Sequence, residues 1–367
     1  MATRHGVACN RVVVLSVAVF ILLLVYVHLL PYFSPFSSSG FRSLKTFASS
    51  SSSSSSHDYC LSCVHEIEWR QTGPTQISVV RVGEAAANKT VERVVSGRDW
   101  QWKPKALEDC GFRELGRQQA LQLLHGSWIV VAGDSQARFL LVAMLELLLP
   151  SIDEHLRPQI FKSHSNFQYV LEEEQVRLDY VWAPFVTNLT ELSLDFHRNQ
   201  SYPDVLVMGA GLWHMLYITD AADYGSSLVN LKRAVGLFSP SASNVDSGPS
   251  EPAAEEEEGF VTEKNLLMPP HMFWLNLPML IPSLMQTDLK RQKMTRRQND
   301  LYDAQVHESK ILHPEGPFLL LDIRKLSGGC SPECSLDGIH YSNATYRAVL
   351  HVLINTLLIA AHQPPST

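Results

Sequence analysis

The sequence lacks an excess of basic residues and lacks internal repeats. Its 30 Lys and Arg residues are outnumbered by 37 Asp and Glu residues, which gives a net charge of −7. Because a nucleic-acid-binding surface neutralises phosphates with clustered basic side chains, nucleic acid is not expected as a partner. The absence of a repeat of about 20–50 residues excludes a repeat architecture. The 367-residue chain, 45% hydrophobic and 18% charged, instead has the composition of a globular protein with one substantial core.

Residues 12–30 form a nineteen-residue apolar segment that contains no formally charged side chain. At about 1.5 Å per helical residue, this segment is long enough to cross a hydrocarbon core of about 30 Å. Arg4 and Arg11 precede it closely, whereas the first basic residue after it is Arg42. The asymmetry predicts a cytoplasmic tail at 1–11, a transmembrane signal anchor and a body on the opposite side of the membrane. A cleaved signal peptide is the alternative, but no clear A-x-A cleavage site follows.

Four Asn-X-Ser/Thr sequons follow the apolar segment, at Asn88, Asn188, Asn199 and Asn343. None precedes it. Such sequons are acceptor sites for N-glycosylation in the secretory pathway, so their placement agrees with a lumenal body, although short motifs of this kind also occur by chance.

Cysteine is scarce: there are six residues, and five of them follow the apolar segment, at Cys60, Cys63, Cys110, Cys330 and Cys334. In an oxidising compartment these are expected to be disulfide partners, and their odd number leaves one thiol free or paired between chains. A zinc site built from the close pairs is the alternative. The 220-residue gap between Cys110 and Cys330 makes it less favourable, and no metal is expected.

The rest of the chain is predicted to be a stem followed by an α/β body. Residues 31–57 are rich in Ser, Pro and Gly, which is typical of a flexible stem. The body, 58–367, contains apolar strand-like runs that alternate with helical patterns. This alternation predicts a mostly parallel central sheet with helices on both faces. Residues 239–259, acidic and poor in apolar side chains, are expected to form a disordered insertion.

Specific elements follow from these patterns. Strands are predicted at 128–131, 203–208, 272–278 and 318–322, and helices after residue 135, at 283–309 and at 343–361. The segment 76–82 is ambiguous. Two tryptophans in 100–104 are compatible with a sugar-binding edge or, more simply, with a structural aromatic clasp held by a disulfide at Cys110.

One strand–turn–helix segment carries a candidate nucleophile. The apolar strand ends at Gly133 and Asp134, and Ser135 begins a long apolar helix. Such a turn holds a hydroxyl above the edge of a sheet, where unpaired N–H groups and the helix dipole favour an oxyanion. Asp134 is expected to order the turn. Ser135 therefore needs a base elsewhere in the chain.

The best candidate base lies in the sequence Asp337–Gly338–Ile339–His340, in a predicted loop before the final helix. At this spacing the Asp337 carboxylate can accept from one imidazole nitrogen of His340 and leave the other facing Ser135. A lone D-x-x-H is a weak signal. Its combination with an earlier strand–GDS–helix segment predicts Ser135 as nucleophile, His340 as base and Asp337 as the orienting carboxylate.

Together these motifs resemble the SGNH-hydrolase superfamily, and more closely its PC-esterase branch. That branch includes the trichome-birefringence-like polysaccharide O-acetyltransferases and the catalytic domain of the sialic-acid O-acetyltransferase. The resemblance covers about 100–361 and includes WQWKP, GDSQAR, GAGLWH, LDIRKLS and DGIH. It implies a three-layer SGNH-like domain, an acyl-serine intermediate and a Golgi type II membrane enzyme. It also implies a glycan acceptor and an acetyl donor or acetyl-donating membrane protein, with no bound cofactor.

The sequence departs from the wider superfamily at the oxyanion hole, because GAGLWH stands where G-x-N-D supplies an asparagine. Gly133, Arg138 and Gly211 are therefore candidates to complete that site. Trp213 and His214 are candidates to face a glycan; a packed aromatic beside a hydrogen-bonded histidine is the alternative. An acetyl esterase with the same triad, and a non-catalytic glycan-binding protein, remain open.

Overall fold

The computed structural model describes residues 54–72, 76–82, 89–95, 97–238, 269–335 and 337–361. The predicted tail, signal anchor and acidic insertion, and the sequon at Asn88, lie outside these residues. Within the described part of the chain, no helix combines the length and the apolar character needed to cross a bilayer. A helix begins at Ser54, inside the segment predicted as the stem.

Regular elements occupy most of the described residues. The strands are β1 Ile67–Gln71, β2 Gln76–Val82, β3 Lys89–Val95, β4 Arg98–Trp102, β5 Trp128–Gly133, β6 Phe167–Leu171, β7 Val176–Trp182, β8 Val205–Gly209, β9 His271–Leu275 and β10 Leu319–Leu321. The helices are α1 Ser54–Cys63, α2 Pro104–Cys110, α3 Arg117–Leu124, α4 Ser135–Leu148, α5 Leu156–Ile160, α6 Val186–Asn199, α7 Leu212–Tyr217, α8 Ala221–Gly236, α9 Asp288–Lys293, α10 Arg296–Glu308, α11 Ile323–Cys330 and α12 Asn343–Ala361.

A six-stranded sheet forms the centre of the fold, in the order β10-β9-β8-β5-β7-β6. Neighbouring strands are parallel except for β6 and β7, which form an antiparallel hairpin. The predicted mostly parallel sheet is confirmed, and so are the four predicted strands. The β6–β7 hairpin was not predicted, because its alternating pattern is short and lies beside polar turn residues.

The sheet is buried on both faces. Along β5, Ile129 and Val131 contribute to one apolar core, while Val130 and Ala132 contribute to the other. The first core is closed by α4 and α12, and the second by α6, α8 and α10. Because both faces exclude water, the central strands need apolar residues at successive positions, which explains their near-continuous apolar runs.

Two smaller predictions have different outcomes. The final helix, α12, has the predicted bounds. The single helix predicted at 283–309 is wrong, because this segment forms α9 and α10. Thr295 begins α10 as its N-cap, where its side chain accepts the N–H of Gln298.

The WQWKP segment has a structural role. Trp100 and Trp102 are buried, and their rings meet edge to face with centroids 5.0 Å apart. Trp102 also packs against Phe112. A disulfide joins Cys60 to Cys110 and so links α1 to α2. The aromatic clasp, rather than the sugar-binding edge, is therefore the observed arrangement.

Among the described residues, the cysteines form one disulfide and leave three free thiols, whereas one leftover thiol was expected. Cys60 bonds to Cys110 rather than to its neighbour Cys63, which is a free thiol together with Cys330 and Cys334. Across the described residues, no group of three or more His, Cys, Asp or Glu side chains is arranged to hold a metal ion.

Candidate active site

Ser135 is the first residue of α4, and only Asp134 separates it from the end of β5. Asp134 caps the helix by accepting the N–H of Gln136 on its side chain, at 2.9 Å. The N–H of Ser135 is left as the first donor of the helix, so fewer N–H groups are free than the sequence suggested.

Glycine is required at the end of β5, next to this turn, and at the end of the neighbouring strand β8. A Cβ on Gly133 would lie 2.1 Å from the carbonyl oxygen of Gly209, and a Cβ on Gly209 would lie 2.5 Å from that of Leu275. The ends of β5, β8 and β9 can therefore approach closely only because side chains are missing there. Gly133 acts through the backbone position that it gives to Ser135.

Ser135, His340 and Asp337 form one continuous hydrogen-bonded chain. The Ser135 hydroxyl lies 2.7 Å from Nε2 of His340, and Nδ1 of His340 lies 2.7 Å from Oδ2 of Asp337. The side chains of His340 and Asp337 are 25% and 20% exposed, so a substrate can reach them while most of their surface is dry. The structure thus brings together the three side chains that the sequence proposed as nucleophile, base and orienting carboxylate.

Asp337 is held in its charged form. Burial by itself raises the pKa of this carboxyl, but hydrogen bonds from the His340 side chain and from the N–H groups of Ile339 and His340 outweigh it and lower the pKa to about 2. The carboxylate therefore fixes the imidazole and is charged whenever His340 accepts a proton.

The loop that carries this pair is fixed from within. The buried Ser335 hydroxyl donates to the carbonyl of His340 and accepts the N–H of Gly338, each at 3.0 Å. Gly338 has a φ of +83°, and a Cβ there would lie 2.3 Å from the carbonyl oxygen of Ile281. Glycine is needed at this turn for both reasons.

Gln136 connects the nucleophile to the base loop and was missed in the sequence, where it occupies a variable position of GDSxxR. Its buried amide donates to the carbonyl of Ile339 at 3.1 Å and accepts the hydroxyl of Tyr346 at 2.8 Å. The residue next to the nucleophile thus contacts the residue next to the base. No local sequence signal could have indicated this contact.

An aromatic wall stands beside the base. The ring of Phe139 lies 5.4 Å from His340, stacks on Tyr346 at 5.1 Å and meets Phe161 at 5.7 Å. These rings exclude water from one side of the imidazole and restrict its orientation.

Arg138 lies in the first turn of α4 and is 8% exposed. Its guanidinium lies over the rings of Tyr180 and Trp182, 4.9 and 5.3 Å from their centroids. Within the described part of the chain, its Nε and Nη2 atoms have no hydrogen-bond acceptor. Cation–π contacts with Tyr180 and Trp182 therefore hold this charge in place, one helical turn after Ser135.

Asp134 orders the turn, as predicted. It is 1% exposed, and this burial raises the pKa of its carboxyl to about 6, although the N–H groups of Gln136 and Leu212 and the charge of His340 oppose the rise. Because Leu212 is the first residue of α7, Asp134 contacts both the helix that begins at Ser135 and the segment that follows β8.

Trp213 and His214, which the sequence proposed together as glycan-facing residues, lie in different environments after β8. Gly211 directly precedes α7 with a φ of +151°, two residues after the end of β8, the strand that pairs with β5. Trp213 is half-buried, whereas His214 is only 2% exposed and packs against Tyr224 and Tyr302. His214 thus has the packed environment of the structural alternative, and its Nε2 lies 3.1 Å from Oδ2 of Asp223; burial lowers its pKa.

The described sequons differ in accessibility. Asn199 and Asn343 are exposed, and Asn343 begins α12 shortly after His340. The Asn188 side chain instead accepts the N–H of Phe185 at 3.3 Å, at the start of α6. The side-chain nitrogen of Asn343 donates to Glu146 at 2.5 Å, so Asn199 offers the more open glycosylation site of the two.

Comparison with known proteins gives a direct relationship. No family model matches the chain. Protein ALTERED XYLOGLUCAN 9 of Arabidopsis thaliana is 37% identical over 362 residues, which cover 96% of this chain and 92% of the relative. The aligned region covers nearly the full length of both proteins. The chain belongs to the same family as ALTERED XYLOGLUCAN 9.

Proposed function

We propose that the protein is a polysaccharide O-acetyltransferase of the PC-esterase branch of the SGNH-hydrolase superfamily. The observation that carries the proposal is the hydrogen-bonded chain from Ser135 through His340 to Asp337. The name of the relative refers to xyloglucan, which supports a plant cell-wall polysaccharide as the acceptor.

In the first half-reaction, Ser135 Oγ attacks the acetyl carbonyl carbon of the donor. His340 Nε2 takes the hydroxyl proton, and Asp337 stabilises the imidazolium that forms. When the tetrahedral intermediate collapses, the bond between the acetyl group and the donor breaks. The leaving group takes the proton from His340, and the acetyl group remains on Ser135 as an ester.

In the second half-reaction, a sugar hydroxyl attacks the acyl-serine and gives its proton to His340. Collapse of this intermediate breaks the ester to Ser135, whose oxygen regains the proton. The acetyl group then belongs to the polysaccharide. An esterase differs only in using water in place of the sugar hydroxyl.

The oxyanion formed in both steps needs N–H donors near Ser135. The N–H of Ser135 begins α4, where the positive end of the helix dipole lies. Gly211 lies at the neighbouring strand end and is proposed as the second donor, in place of the asparagine that the sequence lacks. Arg138, one helical turn after Ser135, adds positive charge on the same side of α4.

The proposal also includes a Golgi type II topology with a lumenal catalytic body. The Cys60–Cys110 disulfide and the exposed sequons Asn199 and Asn343 support an oxidising, glycosylating compartment. Unglycosylated sequons in protein purified from plant cells would contradict this part of the proposal.

A fluorophosphonate probe tests the nucleophile directly. We expect the purified protein to be labelled, and we expect Ser135→Ala and His340→Ala to lose the label while they retain the wild-type unfolding transition. A folded wild-type protein without labelling would contradict the catalytic proposal and favour a non-catalytic glycan-binding protein.

The acceptor is tested separately with an acetylated donor ester and xyloglucan oligosaccharides. Transfer predicts acetylated oligosaccharide in the mass spectrum, in an amount equal to the donor consumed. Free acetate without acetylated oligosaccharide would instead establish the esterase.

A further inference from the structure

A group of aromatic side chains, here called the aromatic platform, lies beside the nucleophile turn. It consists of His164, Trp182, Trp213 and Tyr217. Trp182 ends β7 and Trp213 follows β8, and these two strands flank β5, which leads to Ser135. Although β5 lies between these strands, the centroids of the two indole rings are 5.4 Å apart, and the rings are nearly perpendicular. The platform therefore forms at the same sheet edge as the nucleophile.

The rings hold one another in fixed orientations. His164 stacks on Trp182 at 4.9 Å and meets Trp213 at 5.1 Å, while Tyr217 packs against Trp213 at 5.4 Å. The guanidinium of Arg138 lies over the Trp182 ring. His164 has a left-handed φ of 50°, which costs free energy for a residue with a side chain. The platform is thus preorganised before any ligand arrives.

The platform is apolar, yet it is open to solvent. Tyr217 is 61% exposed and the adjacent Ile218 is 48% exposed, although large apolar side chains are normally buried. Sugar rings present flat C–H faces that pack on aromatic rings, and their hydroxyl groups can bond to the polar tips of Tyr and His side chains. A saccharide therefore matches both the apolar ring faces and the polar side-chain tips of this surface.

The charges around the platform favour a neutral saccharide. Asp220, the N-cap of α8, and Asp223, whose Oδ2 lies 3.1 Å from Nε2 of His214, are exposed and follow Tyr217 closely in the chain, and their negative charge disfavours an acidic sugar. Arg138 is 8% exposed and its guanidinium lies over the Trp182 ring, while the exposed Lys162 lies two residues before His164 in the chain, so the two carboxylates outnumber the exposed cation.

We propose that the aromatic platform is the subsite that binds neutral sugar rings of the acceptor and presents a neighbouring hydroxyl to the acyl-serine. The proposal rests on the proposed function for the identity of the reaction, but saccharide binding at the platform can be measured without turnover. Trp213, and not His214, is the specificity-determining residue of the GAGLWH segment.

Binding is measured by calorimetry on the full chain carrying Ser135→Ala, with a neutral xyloglucan oligosaccharide and an oligogalacturonate of similar length. We expect the neutral oligosaccharide to bind more tightly. Tyr217→Ala and Trp213→Ala are expected to weaken that binding on the order of tenfold, while Trp213→Phe retains most of it. Tyr59→Ala is the matched control, because Tyr59 is an exposed aromatic residue on α1, and affinity should not change.

The outcomes separate the platform from the catalytic proposal. Unchanged affinity in Tyr217→Ala and Trp213→Ala, or tighter binding of the oligogalacturonate, would overturn the platform. Weakened saccharide binding in Tyr217→Ala and Trp213→Ala, with Tyr59→Ala binding as tightly as the Ser135→Ala parent, supports it. If wild-type protein binds the oligosaccharide through these residues but is not labelled, the platform stands and the transferase proposal fails.

Discussion

The hydroxyl of Ser135 lies 2.7 Å from Nε2 of His340, although 205 positions separate the two residues in the chain. The contact joins the end of a central strand to a loop that precedes the last helix. Each partner is fixed by its own local structure: a capped helix start for Ser135, and a carboxylate with three hydrogen-bond donors for His340. The predictions below test what this contact and its supports contribute.

Asp337→Asn should leave the loop folded and slow the acylation of Ser135. An asparagine oxygen can still accept the N–H groups of Ile339 and His340, which now bond to Oδ1. Its NH₂ group, however, would face Nδ1 of His340 and favour the wrong tautomer. We expect the probe-labelling rate to fall by roughly 10³–10⁴-fold. A rate within tenfold of wild type would mean that Asp337 does not orient the base.

Gln136→Met should lower both stability and acylation, because an apolar side chain of similar length leaves the carbonyl of Ile339 without its donor. The expected loss of unfolding free energy is about 1–3 kcal/mol, measured by chemical denaturation. Labelling of the folded protein should slow as well. Tyr346→Phe is the control, since it removes one bond to Gln136 but keeps the contact with Ile339. Equal labelling rates for wild type and Gln136→Met would limit Gln136 to a structural role.

Gly133→Ala should prevent the native packing of β5 against β8, because its Cβ would lie 2.1 Å from the carbonyl oxygen of Gly209. We expect a loss of several kcal/mol in unfolding free energy, or no soluble protein. Gly236→Ala is the matched control at the end of α8, where no atom lies within 4 Å of the added carbon. A Gly133→Ala protein as stable as the control would show that the strand ends can separate.

His351 should make the fold sensitive to mild acid. It is 2% exposed and packs on Trp100, and burial lowers its pKa from 6.5 to about 4, despite an opposing contribution from Glu114. Between these values the unfolded chain binds a proton that the folded protein does not. The contribution of His351 to stability is therefore full above pH 6.5 and is lost as the pH falls towards 4.

Denaturation at pH 7 and pH 5 measures this effect. One proton contributes about 1.4 kcal/mol per pH unit. The unfolding free energy of wild type should therefore fall by up to roughly 2 kcal/mol more than that of His351→Gln over this range. Parallel pH dependences for the two proteins would exclude a role for His351.

The sequence determined the features that depend on a few neighbouring residues. The alternation of apolar runs and helical patterns predicted the mostly parallel sheet, and the strand–GDS–helix and D-x-x-H patterns predicted Ser135, Asp337 and His340. The bounds of the final helix were also predicted, because its apolar residues recur at helical spacing over nineteen positions. Such signals are local, since backbone periodicity and turn chemistry act over short distances.

Only the tertiary structure decided which distant residues meet. Trp182 ends β7 and Trp213 follows β8, and because these strands flank β5 the two indole rings meet at its end. His214 is buried, although it adjoins Trp213 in the chain. Gln136 reaches the base loop, and Cys60 bonds to Cys110 rather than to Cys63. These contacts depend on how closely packed elements approach one another, and that distance is set by side chains far apart in the chain, including the glycines where strand ends nearly touch.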